Sequence, residues 1–106
     1  MSYDAILAAL SDPLRREIFG RLRNDPSSVA ALAEGLPISR PAVSQHLKIL
    51  KEAGLVADQA QGARRVYRMN RDGLAALQAW LDGFRGDPPD TYQDEIQRQI
   101  DERRYT

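Results

Sequence analysis

The sequence contains no cysteine, only one histidine and one tryptophan, and no long apolar run. The absence of cysteine excludes disulfides, thiolate metal sites and cysteine nucleophiles. A single histidine, His46, with no thiol to accompany it makes a poor metal site. The first residues lack a basic stretch that leads into a long apolar segment, so we expect neither a signal peptide nor a membrane span. The sequence therefore predicts a cytoplasmic protein without a metal or another cofactor.

The chain also has no net charge, because 15 basic residues balance 15 acidic ones. A zero total argues against a nucleic-acid partner, but the distribution matters more than the sum. Residues 39–68 include six basic and two acidic residues, a net charge of +4. Residues 82–106 include four basic and seven acidic residues, a net charge of −3. The middle of the chain is therefore the part that suits a polyanion.

With 106 residues, 42% of them hydrophobic and 28% charged, the chain has the composition of a single globular domain. A domain of this size buries only about two-thirds of the surface that its unfolded chain exposes. Dimerisation would add to that burial.

Apolar spacing, caps and breaks predict four helices, a β-hairpin and two further helices, which is a mainly α fold. Asp12, Ser39 and Asn70 are predicted N-caps, each directly before a segment with helical periodicity, and Ser27 or Ser28 is predicted to cap the helix that follows it. Gly35 and Gly54 are predicted to end two helices, with a left-handed backbone at Gly35. The predicted units of this one domain, 1–106, are helices at 1–24, two helices and their turn at 27–54, a hairpin at 55–69 and helices at 70–106.

The two helices of 27–54, with their Gly-Leu-Pro-Ile connection, have the form of a helix-turn-helix. Val43, Leu47 and Leu50 recur at helical spacing on the second helix and predict its buried stripe. The side chains on its other side are polar or basic: Arg40, Ser44, Gln45, Lys48 and Lys51. A helix held by such a stripe presents donors and acceptors to the major groove of DNA.

The polar residues of this region each fit a contact with double-stranded DNA. Ser44 and Gln45 fit base edges, since glutamine suits adenine, and Arg40 fits guanine or a phosphate. Ser39 and Pro41 begin the helix, whose free N–H groups suit a phosphate. The residues expected to reach the DNA backbone or, from the hairpin, the minor groove are Lys48, Lys51, Arg64 and Arg65.

Residues 10–18 (LSDPLRREI) and 38–56 (ISRPAVSQHLKILKEAGLV) resemble the ArsR/SmtB family of winged helix-turn-helix transcriptional repressors. The resemblance extends roughly from Leu10 to Phe84. It implies that Ser39, Arg40, Ser44 and Gln45 lie at the DNA and that the hairpin is the wing. It also implies that the flanking helices form a homodimer, which would bind a pseudo-palindromic operator as a repressor.

Apolar residues of the flanking helices are the predicted dimer contacts, because aromatic residues at helical spacing favour a core shared across a dimer. Trp80 and Phe84 have this spacing on the helix that follows Asn70. The full set is Tyr3, Leu7, Leu10, Trp80, Phe84, Tyr92, Ile96 and Ile100. The last three form a narrow stripe that fits either packing on a partner subunit, which we favour, or a mobile tail.

Many proteins of this family sense metals through thiols near the helix before the turn, or through acidic and histidine ligands after the wing. Residues 29–34 contain no thiol, and residues 70–84 offer Asp72 and Asp82 but no histidine. The resemblance, with this departure, predicts the metal-independent branch of the family. It leaves open whether a small-molecule effector exists.

Other readings stay open at this point. The polar side of the second helix is compatible with an ordinary solvated surface, and His46 with either packing or a phosphate contact. A winged helix that binds another protein, or a repressor that responds to a ligand near Trp80 and Phe84, would carry the same residues. An enzyme is not expected, because the sequence has neither a glycine-rich phosphate loop nor metal-ligand spacing, and Ser44 and His46 point in different directions.

Overall fold

The computed structural model describes residues 2–85 and 89–104, with side chains over 2–85 and 96–103. Within these residues the elements are α1 (Tyr3–Ala9), α2 (Pro13–Arg21), β1 (Ser27–Ser28), α3 (Val29–Glu34), α4 (Arg40–Glu52), β2 (Val56–Gln61), β3 (Arg64–Met69), α5 (Arg71–Asp82) and α6 (Pro89–Arg104). The predicted series of four helices, a hairpin and two helices is confirmed. None of the described helices is both long and apolar enough to cross a membrane.

The predicted N-caps begin three of the helices, because each side chain accepts backbone hydrogen bonds that the first turn leaves unmade. The Asp12 carboxylate accepts the N–H groups two and three residues later, at 2.8 and 3.2 Å. Ser39 Oγ accepts the N–H of Ala42 at 3.3 Å, and Asn70 Oδ1 accepts that of Asp72 at 3.1 Å. The starts of α2, α4 and α5 are therefore set by local sequence.

The two glycines predicted to end helices do so in different ways. Gly54 has a φ of +83°, and the N–H groups of Gly54 and Leu55 close the end of α4 on carbonyls of its last turn, at 3.0 and 2.9 Å. Gly35 has a φ of −100°, so the expected left-handed backbone at this position is wrong. The guanidinium of Arg21 occupies the space beside Gly35 and donates to its carbonyl at 3.0 Å. A side chain at position 35 would displace this guanidinium.

β2 and β3 form the predicted hairpin, and a third strand pairs with it in the antiparallel order β1–β3–β2. The hairpin turn passes through Gly62, whose φ of +62° lies in the left-handed region that glycine adopts readily. In the unpredicted strand β1, Ser27 lies opposite Tyr67 and Ser28 opposite Val66. A strand of two residues has no alternation to detect, and Ser28 also caps α3.

The apolar stripe of α4 lies at the centre of the core. Val43, Leu47 and Leu50 are fully buried, as predicted, together with Ile6, Ile18 and Leu55. α4 packs against α1, α2, α3 and β2. Because one side of α4 is surrounded by these elements, its opposite side is the part that faces solvent.

α5 ends at Asp82, so the prediction that places Phe84 on this helix is wrong. The chain continues as turns in which the N–H of Phe84 donates to the carbonyl of Leu81 at 3.0 Å. This turn keeps the ring of Phe84 4.9 Å from that of Trp80, edge to face. The two aromatic residues are thus neighbours without sharing a helix.

Candidate DNA-binding surface

The solvent-facing side of α4 is mostly polar and basic. Exposed on α4 and at its cap are seven of the residues predicted to meet DNA: Ser39, Arg40, Pro41, Ser44, Gln45, Lys48 and Lys51. Successive residues of an α-helix are about 100° apart, so Gln45 and Lys48 lie almost opposite the buried stripe. Pro41 and Glu52 point in nearly the same direction, so this side of α4 also carries one acid.

The first turn of α4 offers fewer backbone donors than the start of a typical helix. Pro41 has no N–H, and the N–H of Ala42 is taken by the cap, Ser39 Oγ. Among the described contacts, the N–H of Arg40 has no partner. A phosphate at this end would therefore meet the N–H of Arg40, its guanidinium and the Ser39 hydroxyl, rather than a row of amides.

An ion pair shows which flank of α4 faces the hairpin. Lys51 Nζ lies 2.8 Å from Oδ1 of Asp58, a β2 residue whose side chain is only 9% exposed. Ser44 lies seven residues before Lys51, which is two helical turns, so both occupy the same flank. The base-reading candidate Ser44 is thus on the side of α4 next to the hairpin.

Arg64 and Arg65 of the hairpin are directed to opposite faces of the sheet. Arg64 pairs with Gln61 and Arg65 with Ala60 in the register, and successive residues of a strand alternate in direction. Arg65 lies 2.9 Å from Oδ2 of Asp58 through its NH1, and Arg64 has no ion pair among the described residues. The charge of Arg64 is therefore not balanced by a carboxylate among the described residues.

Asp58 is the residue that the sequence analysis missed. It holds Lys51 and Arg65, two of the residues predicted to reach the DNA backbone. The sequence offers one indication of such a role, because acidic residues are rare in this stretch: Asp58 and Glu52 are the two acids among residues 39–68. Two acids among six basic residues do not show which of them forms an internal ion pair until the hairpin register is known.

His46 lies on the other flank of α4, against α2. It is half-buried, and its Nδ1 is 3.4 Å from NH1 of Arg15. Arg15 in turn donates through Nε to the carbonyl of Ala9 at 2.6 Å, which ties the end of α1 to this contact. This position favours the packed alternative for His46 over a phosphate contact.

Two carboxylates of this region titrate below their ordinary range. Hydrogen bonds from Lys51 and, to a lesser extent, Arg65 hold the pKa of Asp58 below its ordinary value of 3.8, against the opposing effect of burial. The pKa of Asp12 is lowered in the same direction, chiefly by the backbone N–H of Arg15. In both cases the folded state favours the ionised form.

Acid is therefore expected to weaken the fold through these two groups. When the pKa of a carboxyl group is lower in the folded than in the unfolded state, its ionisation stabilises the folded state. This stabilisation is complete at a pH above the unfolded pKa and is lost as the pH falls through the folded pKa. In urea unfolding experiments, the contribution of Asp12 and Asp58 to the free energy of unfolding should be constant between pH 7 and 5 and should decline below about pH 4. Asp58→Asn should lose less stability than the wild type over that acid range, and an equal loss in both proteins would contradict the assignment.

A second exposed surface, formed by α1, α5 and the turn that follows α5, is apolar. Its large apolar side chains that are 39% to 56% exposed are Tyr3, Leu7, Leu81 and Phe84, and on α6 Ile96 and Ile100 are 40% and 45% exposed. Trp80 is half-buried, with its ring 6.4 Å from that of Tyr3, so α1 and α5 contribute to one continuous patch. Leu10 differs, because it is half-buried against the core. The side chain of Tyr92 lies outside the described residues.

An open groove of about 560 Å³ continues this apolar patch along α5. Leu74, Leu77 and Leu81 form its apolar wall, and Asp82 and Arg85 lie at one end. Over the part of the chain whose side chains are described, no group of three His, Cys, Asp or Glu residues is placed to hold a metal ion. The groove is therefore suited to apolar contacts.

Comparisons with known proteins agree with this geometry. Residues 10–59 match the helix-turn-helix domain family. The chain is 54% identical over 83 residues to the HTH-type transcriptional regulator Rv2034 of Mycobacterium tuberculosis, with 78% of each protein covered. It is 34% identical over 79 residues to the transcriptional repressor SdpR of Bacillus subtilis, with 74% of this chain and 88% of that protein covered.

Two solved structures extend the similarity to the fold. An ArsR-like transcriptional regulator from Rhodococcus sp. RHA1 superimposes with a TM-score of 0.75 at 33% identity, covering 90% of this chain and 89% of that one. The homodimeric winged helix-turn-helix DNA-binding domain Mb0332 from Mycobacterium bovis gives a TM-score of 0.65 at 27% identity, covering 76% and 75%. The fold and the exposed side of α4 thus define a winged helix-turn-helix protein.

The particular family follows from the relatives: the chain belongs to the ArsR/SmtB family of winged helix-turn-helix transcriptional regulators. Proteins of this family are DNA-binding regulators and not enzymes. The predicted fold class, mainly α with a β-hairpin wing, is confirmed. α4 is hereafter called the recognition helix, and β2 with β3 the wing.

Proposed function

We propose that this protein is a homodimeric repressor that binds a pseudo-palindromic operator in double-stranded DNA and does not respond to metal ions. The observation that carries the proposal is the orientation of the recognition helix. Val43, Leu47 and Leu50 are fully buried, while Ser44 and Gln45 are exposed, with Ser44 on the flank next to the wing. Base edges in the major groove offer the donors and acceptors that these two side chains complement.

The contacts divide into base-reading and backbone-positioning groups. Ser44 and Gln45 read bases, with Arg40 at a guanine or a phosphate. Ser39, Pro41 and Lys48 place the helix in the groove, and Arg64 extends the contact from the wing to a neighbouring phosphate or minor groove. In this arrangement the helix-turn-helix spans 27–54 and the wing 55–69.

Dimerisation is supported by the apolar patch. Residues 1–24 and 70–106 supply the helices that carry it, and exposed apolar patches rimmed by polar residues mark interaction sites. The Mycobacterium bovis relative is a homodimer. The two recognition helices of one dimer would bind half-sites about 34 Å apart on the operator. Repression would follow because a promoter occupied by the dimer excludes RNA polymerase.

Metal independence is supported by the chemistry of the available ligands. The chain has no thiol and only His46 as an imidazole ligand, and that ring lies beside the positively charged Arg15. Zinc and related ions are held by clusters of thiolate, imidazole and carboxylate groups. A metal effect on operator affinity is therefore not expected.

The proposal is tested by fluorescence anisotropy on the DNA upstream of the protein's own gene and on DNA selected from the genome. Salt-sensitive binding with a sequence preference is expected. Adding zinc or a chelator should leave the affinity unchanged. Binding no tighter than about 10⁻⁶ M to every sequence, with a protein partner that competes for Arg40 and Gln45, would favour a protein-binding winged helix instead.

Gln45→Ala is expected to relax sequence specificity. The substitution removes a bidentate partner for adenine, so affinity for the preferred site should fall by about 1–3 kcal/mol while non-specific affinity changes little. Anisotropy titrations on the preferred site and on a scrambled duplex measure both quantities. Equal losses on the two duplexes would show that Gln45 does not read a base.

Arg64→Ala is expected to weaken binding to all sequences alike. Losing one phosphate contact should reduce the slope of log affinity against log salt by about one unit. The slope is measured on the same two duplexes between low and physiological salt. A loss confined to the preferred site would place Arg64 at a base instead of a phosphate.

A further inference from the structure

Asp58 joins the recognition helix to the wing through two ion pairs. Oδ1 lies 2.8 Å from Lys51 Nζ, and Oδ2 lies 2.9 Å from NH1 of Arg65. Each carboxylate oxygen thus faces one cation, and the three residues come from α4, β2 and β3. The Asp58 side chain is only 9% exposed, whereas those of Lys51 and Arg65 are 53% and 56% exposed.

This arrangement changes the charge that the surface presents to DNA. Six basic residues lie between positions 39 and 68, and Asp58 holds two of them. Arg68 NH1 donates to Gln59 at 3.4 Å. Among the described contacts, the four remaining basic residues have no ion pair, so their charge is not balanced by a carboxylate: Arg40, Lys48, Arg64 and Arg68.

We propose that Asp58 is an internal counter-ion that holds Lys51 and Arg65 away from the DNA phosphates and fixes the wing beside the recognition helix. The inference rests on the proposed DNA-binding function. By competing with phosphate for these two cations, Asp58 limits non-specific binding, which depends on the number of phosphates that the protein neutralises. It thereby raises the ratio of specific to non-specific affinity without contacting a base.

The exposure of the two cations, Lys51 and Arg65, argues against a purely stabilising role. Ion pairs whose cations are half-exposed contribute little to the folding free energy, because water solvates the charges in their absence. The same exposure leaves Lys51 and Arg65 within reach of a polyanion once the carboxylate is neutralised. The effect of Asp58 should therefore be larger on DNA binding than on stability.

The test is the salt dependence of binding to a non-specific duplex by Asp58→Asn, which keeps the shape of the side chain and removes its charge. Each freed cation that reaches a phosphate adds about 0.9 to the slope of log affinity against log salt, so the slope should steepen by about one to two units. Glu34→Gln is the matched control, since it removes one exposed negative charge on α3 that has no ion pair among the described residues. Its slope should match that of the wild type.

Variants that each remove one cation test the inference even if Asp58→Asn does not fold. Arg64→Gln and Arg65→Gln remove the same charge from adjacent wing residues, and Arg65→Gln should flatten the slope by much less than Arg64→Gln. Equal flattening by the two variants would overturn the inference, as would an Asp58→Asn slope equal to that of Glu34→Gln. A wild-type protein without salt-dependent DNA binding would instead refute the proposed function itself.

Discussion

Gly73→Ala is expected to destabilise the protein by about 1–3 kcal/mol or more. Gly73 lies in the first turn of α5, against the backbone that leaves the recognition helix. A Cβ at this position would overlap the carbonyl oxygen of Gly54 and lie 2.8 Å from its carbonyl carbon and 3.1 Å from Cα of Leu55. These atoms are backbone, so they cannot move aside as a flexible side chain would. The whole of α5 would have to shift away from the core.

Gly20→Ala is the matched control, because it adds the same methyl group to a helix where no atom lies within 4 Å. That variant should be more stable than the wild type by about 0.5–1 kcal/mol, since alanine restricts the unfolded chain and favours helix. Chemical unfolding followed by circular dichroism measures both, at one protein concentration because dimerisation couples stability to concentration. A Gly73→Ala variant as stable as Gly20→Ala would show that α5 packs less closely than the structure has it.

Leu81→Glu is expected to convert the proposed dimer into monomers and to reduce operator affinity by about 10²- to 10⁴-fold. Leu81 is 52% exposed within the apolar patch, so the folded monomer tolerates the charge, whereas a dimer interface would have to desolvate it. A monomer binds one half-site and loses the gain from linking two recognition helices, which is about 10²- to 10⁴-fold for linked modules. Affinity for an isolated half-site should stay unchanged.

The control for this variant is Ala79→Glu. Ala79 is exposed on the same helix, two residues earlier, and therefore points to nearly the opposite side of α5. Sedimentation velocity should show a dimer for the wild type and for Ala79→Glu, and a monomer for Leu81→Glu. A dimeric Leu81→Glu protein with full operator affinity would mean that the patch is not the interface.

The features that depend on neighbouring residues were predictable from the sequence. Asp12, Ser39 and Asn70 cap helices as predicted, because a cap involves only its own side chain and the next few N–H groups. The stripe of Val43, Leu47 and Leu50 also followed from spacing alone. It determined which side of the recognition helix is buried and which side holds the candidate DNA contacts.

Errors arose where the deciding contact lies far away along the chain. Gly35 ends α3 with a φ of −100°, and its carbonyl accepts from the guanidinium of Arg21, fourteen residues earlier. Ser27 and Ser28 form a strand only because β3 lies alongside them, some forty residues later. No periodicity within either segment carries that information.

The same distinction applies to the functional surface. The sequence by itself determined the family resemblance, the basic middle of the chain and the set of residues offered to DNA, because these depend on identity and helical phase. Only the tertiary structure decided which charges are free. Asp58 meets Lys51 and Arg65 because the wing folds back on the recognition helix, and His46 turns toward Arg15 because α2 packs there. Pairing between charges depends on distances across elements, which residue order does not specify.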